Sequence, residues 1–439
     1  MTSKSTCLQQ SYESIENQLK AIPFNKHSLS SGFKQRKAQK LTGKLLLISF
    51  FVMALKGNNS FQLWSEKISS ITGKHVSKQA IWKRITVYFT RFLTSVLADA
   101  LRQQVCKGSH QLEQIPLKEQ YKRILLQDST TIALPPCLRW CFPGNTSHGE
   151  KKAQLKIQVI YDLLNNRFIY FEITPFTAND QSKSKDILHL ADKGDLVIRD
   201  LGYFSLDCFN QLINQGIAFI SRLRYGIKIS DAQSGEEINL LARLKTHARF
   251  EGWVMIGERN KVKVRLVAVP LGQEQASRRR HKAKNDRDKR INHTKEYYEQ
   301  LGYSIYITTE NKEQFSAMQV IKLYGLRWRI ETIFKCWKSQ FHLQQLIPKQ
   351  GTLTKERAEA IIYMMLIFIL LFQLRVYNYL LSVCASGRIS LIKLSRYIAN
   401  NIELFLANNF RTLVPDLIRN CSYDKRKDRL NYIEKLKLG

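Results

Sequence analysis

Tyr324, Arg327, Glu331 and Lys338 follow one another at spacings of three, four and seven residues. On a single helix they would fall within about 60° of one another, so one stripe would carry a phenol, a guanidinium, a carboxylate and an ammonium. Leu326, Ile330, Ile333, Phe334 and Trp337 fill the sector beside that stripe and predict a face packed into a core. A carboxylate flanked by cations on an anchored helix suits a metal ion that must meet a polyanion. The plainer reading is a solvated helix face of mixed charge.

Two further carboxylates lie upstream. Asp128 closes the apolar run Ile124-Leu-Leu-Gln, and Asp200 closes Leu196-Val-Ile-Arg. Each is expected at the carboxyl end of a short buried strand. Asp at a strand end often does no more than make a turn, but two such strands side by side would bring both carboxylates to one edge of a sheet. With Glu331 packed across them, they would form a hard-oxygen site for two Mg²⁺ ions ~3.5–4 Å apart. That is the arrangement in which one ion activates an attacking oxygen and the other stabilises the leaving one.

The elements that must position these groups can be read along the 439 residues. Residues 1–118 are expected to be helical and basic. Within them, Leu63–Ile71, a turn at Thr72-Gly73-Lys74 and a second helix opened by Ser77 make a helix-turn-helix outline, with Lys78, Gln79, Lys83 and Arg84 as candidate DNA contacts. A plain helix hairpin shares that pattern. From residue 119 the period changes from 3.6 to 2. Residues 119–224 predict a strand ending at Asp128, a hairpin of 154–164 and 167–173 turning at Asn165-Asn166, a helix over 184–193, a strand ending at Asp200, and a strand over 218–223.

Residues 225–302 read as a β-rich insertion holding strands 253–256 and 261–266, with Trp253 in the first. The run 278–290, with eight Lys or Arg and two Asp, is expected to be a solvated loop. Residues 303–385 return to the core through a strand at 303–308, the long helix with the charged stripe, and a buried helix over 356–381. The apolar run 361–372 is too short to span a bilayer. Residues 386–439 are expected to be a helical, basic tail.

The net charge is +33, from 69 Lys and Arg against 36 Asp and Glu, and the excess is spread along the chain. A folded protein this basic is expected to bind nucleic acid, because neutralising phosphates releases condensed counterions. The eight cysteines form no Cys-x-x-Cys pair, which argues for free thiols in a reducing cytoplasm over a zinc site. The polar N-terminus shows no signal peptide, and no membrane association is expected.

Leu-Leu-Gln-Asp128-Ser-Thr, Arg-Asp200-Leu-Gly-Tyr203 and Tyr324-x₂-Arg327-x₃-Glu331-x₆-Lys338 together resemble the three motifs of DDE transposases from bacterial insertion sequences. The last resembles the YREK signature of the insertion-sequence-four family. The resemblance covers about residues 119–385. It implies an α/β fold with a ribonuclease-H-like mixed sheet interrupted by a β-rich insertion, following an N-terminal helical DNA-binding region. It also implies a magnesium enzyme, with Mn²⁺ as a substitute, whose ligands are Asp128, Asp200 and Glu331. Such enzymes cut the element ends by hydrolysis, and the freed 3′-hydroxyl attacks target DNA.

By the same resemblance Tyr324, Arg327 and Lys338 would contact phosphates of the transposon end. Trp253 becomes the candidate to hold a flipped base, although a strand Trp is more often core. The expected partners are double-stranded DNA, both transposon ends and target, and a second copy of the chain. The expected place of action is the bacterial cytoplasm at the nucleoid. The competing reading is a catalytically silent, transposase-derived repressor or inhibitor, which loss of a carboxylate would favour. A general two-metal nuclease such as a resolvase would share the carboxylates but does not call for the Tyr, Arg and Lys stripe.

Overall fold

The computed structural model describes residues 21–35, 41–57, 59–104, 116–147, 149–285, 293–348, 353–384, 388–407, 410–424 and 434. They divide into two compact units. One holds the described residues before 116 together with 129–178 and 329–434; the other holds 116–128 and 179–328. Among the described residues ten strands run in chain order: β1 (Arg123–Leu134), β2 (Pro143–Ser147), β3 (Glu150–Asp162), β4 (Arg167–Pro175), β5 (Asp195–Arg199), β6 (Ala218–Arg222), β7 (Ile229–Asp231), β8 (Phe250–Ile256), β9 (Val262–Pro270) and β10 (Tyr303–Thr308). Helices and strands together make the chain a mixed α/β protein.

The unit of residues 116–128 and 179–328 is a mixed sheet. The first half of β1 pairs in parallel with β5, from Arg123 opposite Asp195 to Gln127 opposite Arg199, and β5 pairs in parallel with β6. Ile124, Leu125 and Leu126, like Leu196, Val197 and Ile198, are buried without alternation, as parallel strands covered on both faces require. The crossover from β5 to β6 is the helix Leu206–Asn214. Ser205 caps that helix by accepting from the Cys208 amide, and Phe209 stacks on Phe219 with ring centroids 4.5 Å apart.

Beyond β6 every pairing is antiparallel, through β10, β9, β8 and β7. The insertion expected over 225–302 therefore extends the sheet, and it carries the helices Leu240–His247, Gln273–Lys284 and Lys295–Gln300 as well as strands. The basic run is no loop as far as Lys284, because the last of its residues in the helix Gln273–Lys284 are good helix formers and Glu274 pairs with Arg278 one turn on. Positions 286–290 lie outside the described residues.

Three other expectations change. β1 does not stop at Asp128 but continues to Leu134, its burial switching to a two-residue alternation over Ser129–Leu134, where Thr130 and Thr131 favour the extended chain. Residues 184–193 form only the short 3₁₀ turn Ser184–His189. The long striped helix is two helices, Ala317–Gly325 and Trp328–Ser339. They meet at a turn closed by Leu326 N–H to the Leu323 carbonyl and Arg327 N–H to the Tyr324 carbonyl, each 3.0 Å, just after Gly325 weakens the first helix.

In the other unit β3 and β4 form the expected hairpin, turning where Asn166 takes φ 47°. Trp337 and Phe334 of the helix Trp328–Ser339 are buried, and Trp337 packs on Phe168 and Phe171 of β4. The helix Lys355–Phe368 continues through a π-helical stretch, Ile369–Leu374, into Arg375–Val383. This run is long and apolar enough to cross a membrane, yet 89% of its most apolar window is buried inside the protein. Phe51 of the helix Gly43–Ala54 meets Phe368 and Phe372 edge-on. Of the six cysteines among the described residues, Cys208, Cys336, Cys384 and Cys421 are buried while Cys137 and Cys141 are exposed.

The helix-turn-helix outline takes shape as the helices Phe61–Thr72 and Lys78–Arg84. Gly73 ends the first at φ 65°, a left-handed conformation that a side chain would strain. The Ser77 hydroxyl accepts from the Ala80 amide at 3.2 Å, so Ser77→Ala is expected to cost about 1 kcal/mol in a urea-unfolding titration. Lys78, Gln79 and Lys83 are exposed, but Arg84 is half-buried. Its guanidinium lies 4.0 Å from the Phe33 ring centroid and donates to the Phe33 carbonyl at 3.2 Å. Arg84 thus joins the packing, and its reversal should cost stability as well as any binding.

Candidate active site

The parallel register of β1 and β5 sets the site. Gln127 lies opposite Arg199, so Asp128 and Asp200 leave neighbouring strands at the same level. Beneath them Arg199 is fully buried and donates to the Gln127 amide oxygen at 3.4 Å and the Ser184 carbonyl at 3.0 Å. At the other end of the paired segment the Arg123 guanidinium grips the Asp195 carboxylate through contacts of 3.1, 3.1 and 2.5 Å. None of these five supporting residues stands out in the sequence as a site residue. The available signal was charge inside otherwise apolar strands, which burial allows only when it is paired.

Both site carboxylates meet one cation. Arg327 Nη1 donates to Asp128 Oδ2 at 3.2 Å, and its Nε lies 3.8 Å from Asp200 Oδ1. The side chains of Arg327, Asp128 and Asp200 are 11%, 16% and 41% exposed, so water reaches the pair chiefly over Asp200. Arg327 belongs to the turn between the two helices, which lets it serve the acids although the single-helix stripe does not exist. Tyr324, expected on DNA phosphate, is only 4% exposed and its hydroxyl donates to Asp200 Oδ1 at 3.4 Å. Burial pushes its pKa up to about 12, which keeps the hydroxyl a donor. It positions Asp200 and is not placed to meet a ligand.

A third acid approaches the Asp200 turn unannounced by the sequence. A Cβ at Gly202 would stand 3.2 Å from Asp180 Oδ2, so the glycine leaves room for that carboxylate. Glu331 lies in the first turn of Trp328–Ser339, half-buried, and Lys338 lies exposed in its last turn. Seven residues apart, they share a face of that helix. Among the described residues no group of three or more His, Cys, Asp or Glu is gathered tightly enough to hold a metal ion. Asp128 and Asp200 do supply hard oxygens converging on one positive centre, which is the donor type a divalent cation takes.

The remaining candidates lie elsewhere. Trp253 sits on β8 opposite Arg265, 37% exposed, with the Lys263 ammonium 5.9 Å from its ring centroid. Lys78, Gln79, Lys83 and Arg84 belong to the unit that also contains Glu331 and Lys338.

Known proteins resemble this chain over most of its length. The chain is similar to the transposase for insertion sequence element IS231F of Bacillus thuringiensis subsp. israelensis, 28% identical over 359 residues that cover 77% of this chain and 74% of the relative. It is similar to the transposase for insertion sequence element IS1151 of Clostridium perfringens, 26% identical, covering 76% of this chain and 74% of that one. Among solved structures, the piggyBac transposase synaptic complex with hairpin DNA aligns with 94% of this chain and 84% of its own at a TM-score of 0.39 and 11% identity. Residues 119–371 match the model of the transposase DDE domain, so the chain belongs to the DDE transposase family.

Proposed function

We propose that this chain is the transposase of a bacterial insertion sequence, cutting the ends of its element and joining them to target DNA. The observation that carries this reading is the matched placement of Asp128 and Asp200 at one level of adjacent parallel strands, both drawn onto Arg327. In it Asp128, Asp200 and Glu331 are the acids of the DDE set, and Tyr324, Arg327, Glu331 and Lys338 form a YREK signature of the insertion-sequence-four type. The core is then ribonuclease-H-like, and the exposed Lys78, Gln79 and Lys83 contact DNA.

Two Mg²⁺ ions held by the three acids would supply an activated water and stabilise the leaving oxygen. The chain's own residues do the rest. Tyr324 fixes the Asp200 carboxylate from below. Arg327 offsets one of the two negative charges of the acid pair in the free protein and, released from it, can take a DNA phosphate in the bidentate manner of a guanidinium. Lys338 supplies a second cation along the same strand, while Trp253 offers an exposed ring to an unstacked base. Because both steps are in-line displacements at phosphorus, the same acids serve hydrolysis and strand transfer. A second copy of the chain on the other element end completes the assembly. The silent repressor reading loses its ground because all three acids are present.

The test is incubation of the purified protein with Mg²⁺ and the DNA flanking its own gene. Nicks at the element boundary support the proposal, and intact DNA with normal binding would return the repressor reading. A separate expectation concerns binding: Arg327→Ala and Lys338→Ala should each flatten the log–log salt dependence of DNA binding by roughly 0.9 per lost phosphate contact. An unchanged slope in both variants would make them ordinary structural charges.

A further inference from the structure

Beside the acid pair lies a second group of charges that the reaction above does not use. Arg222 ends β6, and its guanidinium lies 5.3 Å from the centroid of the Tyr324 ring. The Tyr306 ring stands 4.9 Å from the same ring. Arg279 reaches in from the helix Gln273–Lys284, anchored by donation to the Tyr303 carbonyl at 3.0 Å and the Ser304 hydroxyl at 3.3 Å. Arg222 and Arg279 are both half-buried. Tyr306 is the β10 residue opposite Arg222, and Ser304, two residues along, lies on the same face, so the strand pairing carries both guanidiniums to one place. Burial, and then the positive charge of Arg222, lower the Arg279 pKa.

Among the described residues neither arginine forms an ion pair. Like charges brought together in a partly dry setting cost free energy unless an anion joins them. The tyrosine rings beneath give only partial relief through their negative faces. Meanwhile the ring that carries Arg222 also carries the hydroxyl that holds Asp200.

We propose that Arg222 and Arg279 form a phosphate subsite beside the acid pair, built to hold one phosphodiester of the DNA strand being cut. The inference rests on the DNA-cutting reading and extends it to the next phosphate along the strand. It also gives the inserted helix a purpose: Arg279 is carried to the site by a segment that interrupts the core. A phosphodiester suits the pair because its two non-bridging oxygens diverge from a tetrahedral phosphorus, so each can accept from a different guanidinium.

The experiment uses the full chain and a fluorescently labelled duplex of the DNA flanking its gene, titrated by anisotropy across a salt series. Either arginine alone still neutralises the shared phosphate, so Arg222→Gln and Arg279→Gln should each weaken binding with little change of slope. The double variant should lower the slope by about 0.9, the value of one lost contact. Replacing both by Lys should restore the slope, which a purely structural role would not do. A double Gln variant with the wild-type slope, one that loses about 1.8, or a Lys pair that fails to restore it would overturn the shared subsite. Asp128-dependent cleavage by the unaltered chain separates these outcomes from failure of the transposase reading.

Discussion

Asp128→Ala, Asp200→Ala and Glu331→Ala should each abolish strand cleavage while DNA binding persists. Loss of an outer-shell partner of a metal typically costs roughly 10–100-fold, so loss of a direct ligand should exceed about a thousandfold. The measurement is single-turnover cleavage of the labelled flanking duplex in Mg²⁺, with binding followed separately. A near-normal rate in any one variant would remove that residue from the ligand set. The three should differ in stability. An acidic site that held nothing would gain from losing a repelling carboxylate. Here Arg327 sits on Asp128 at 3.2 Å with both groups largely buried, so Asp128→Ala leaves a guanidinium short of a partner. A cost of about 1–3 kcal/mol follows for that variant, and less for the more exposed Asp200, whose contact is 3.8 Å.

That contrast shows what was legible in the residues alone. The apolar runs before Asp128 and Asp200 were readable because fully buried parallel strands leave unbroken hydrophobic stretches. The Asn165-Asn166 hairpin and the Ser77 cap were readable because their backbone conformations demand particular side chains. The continuation of β1 past Asp128 was not, since an acid in mid-strand looks like an ending. Nor was the break before Arg327: a helical wheel places side chains correctly only while the helix lasts, and Gly325 makes the turn affordable without requiring it.

For the site itself, spacing singled out Asp128, Asp200, Glu331 and the cations following Tyr324, of which the structure brings Asp128, Asp200 and Arg327 together, whereas the residues that orient them stayed hidden. Arg199, Gln127 and Ser184 form one network only after β1 and β5 align. Arg279 lies in the basic run 278–290, which marks charge but no partner; its relation to Arg222 comes from the antiparallel run of β6, β10 and β9. Long-range pairing of this kind leaves little local trace in a sequence.

The same reasoning locates the position where one substitution should damage the fold most. Asp195 has no exposed side-chain surface and is held by Arg123, itself 16% exposed, at the first paired level of β1 and β5. The Asp192 amide also donates to it at 2.8 Å. Removing one partner of such a pair strands the other, so Asp195→Ala should lower unfolding stability by about 3–5 kcal/mol in a urea titration. Replacing the pair together, Arg123→Met with Asp195→Leu, should cost much less, because apolar side chains fill the space without leaving a charge behind. The pair does more than stabilise. A slip of one residue in the β1–β5 register would turn Asp128 to the opposite face from Asp200 and separate the two acids. The single variant should therefore lose cleavage along with stability, and the apolar pair should recover stability before it recovers cleavage. Asp195→Ala within about 1 kcal/mol of the unaltered chain would mean that the apolar strands hold their register without the ion pair.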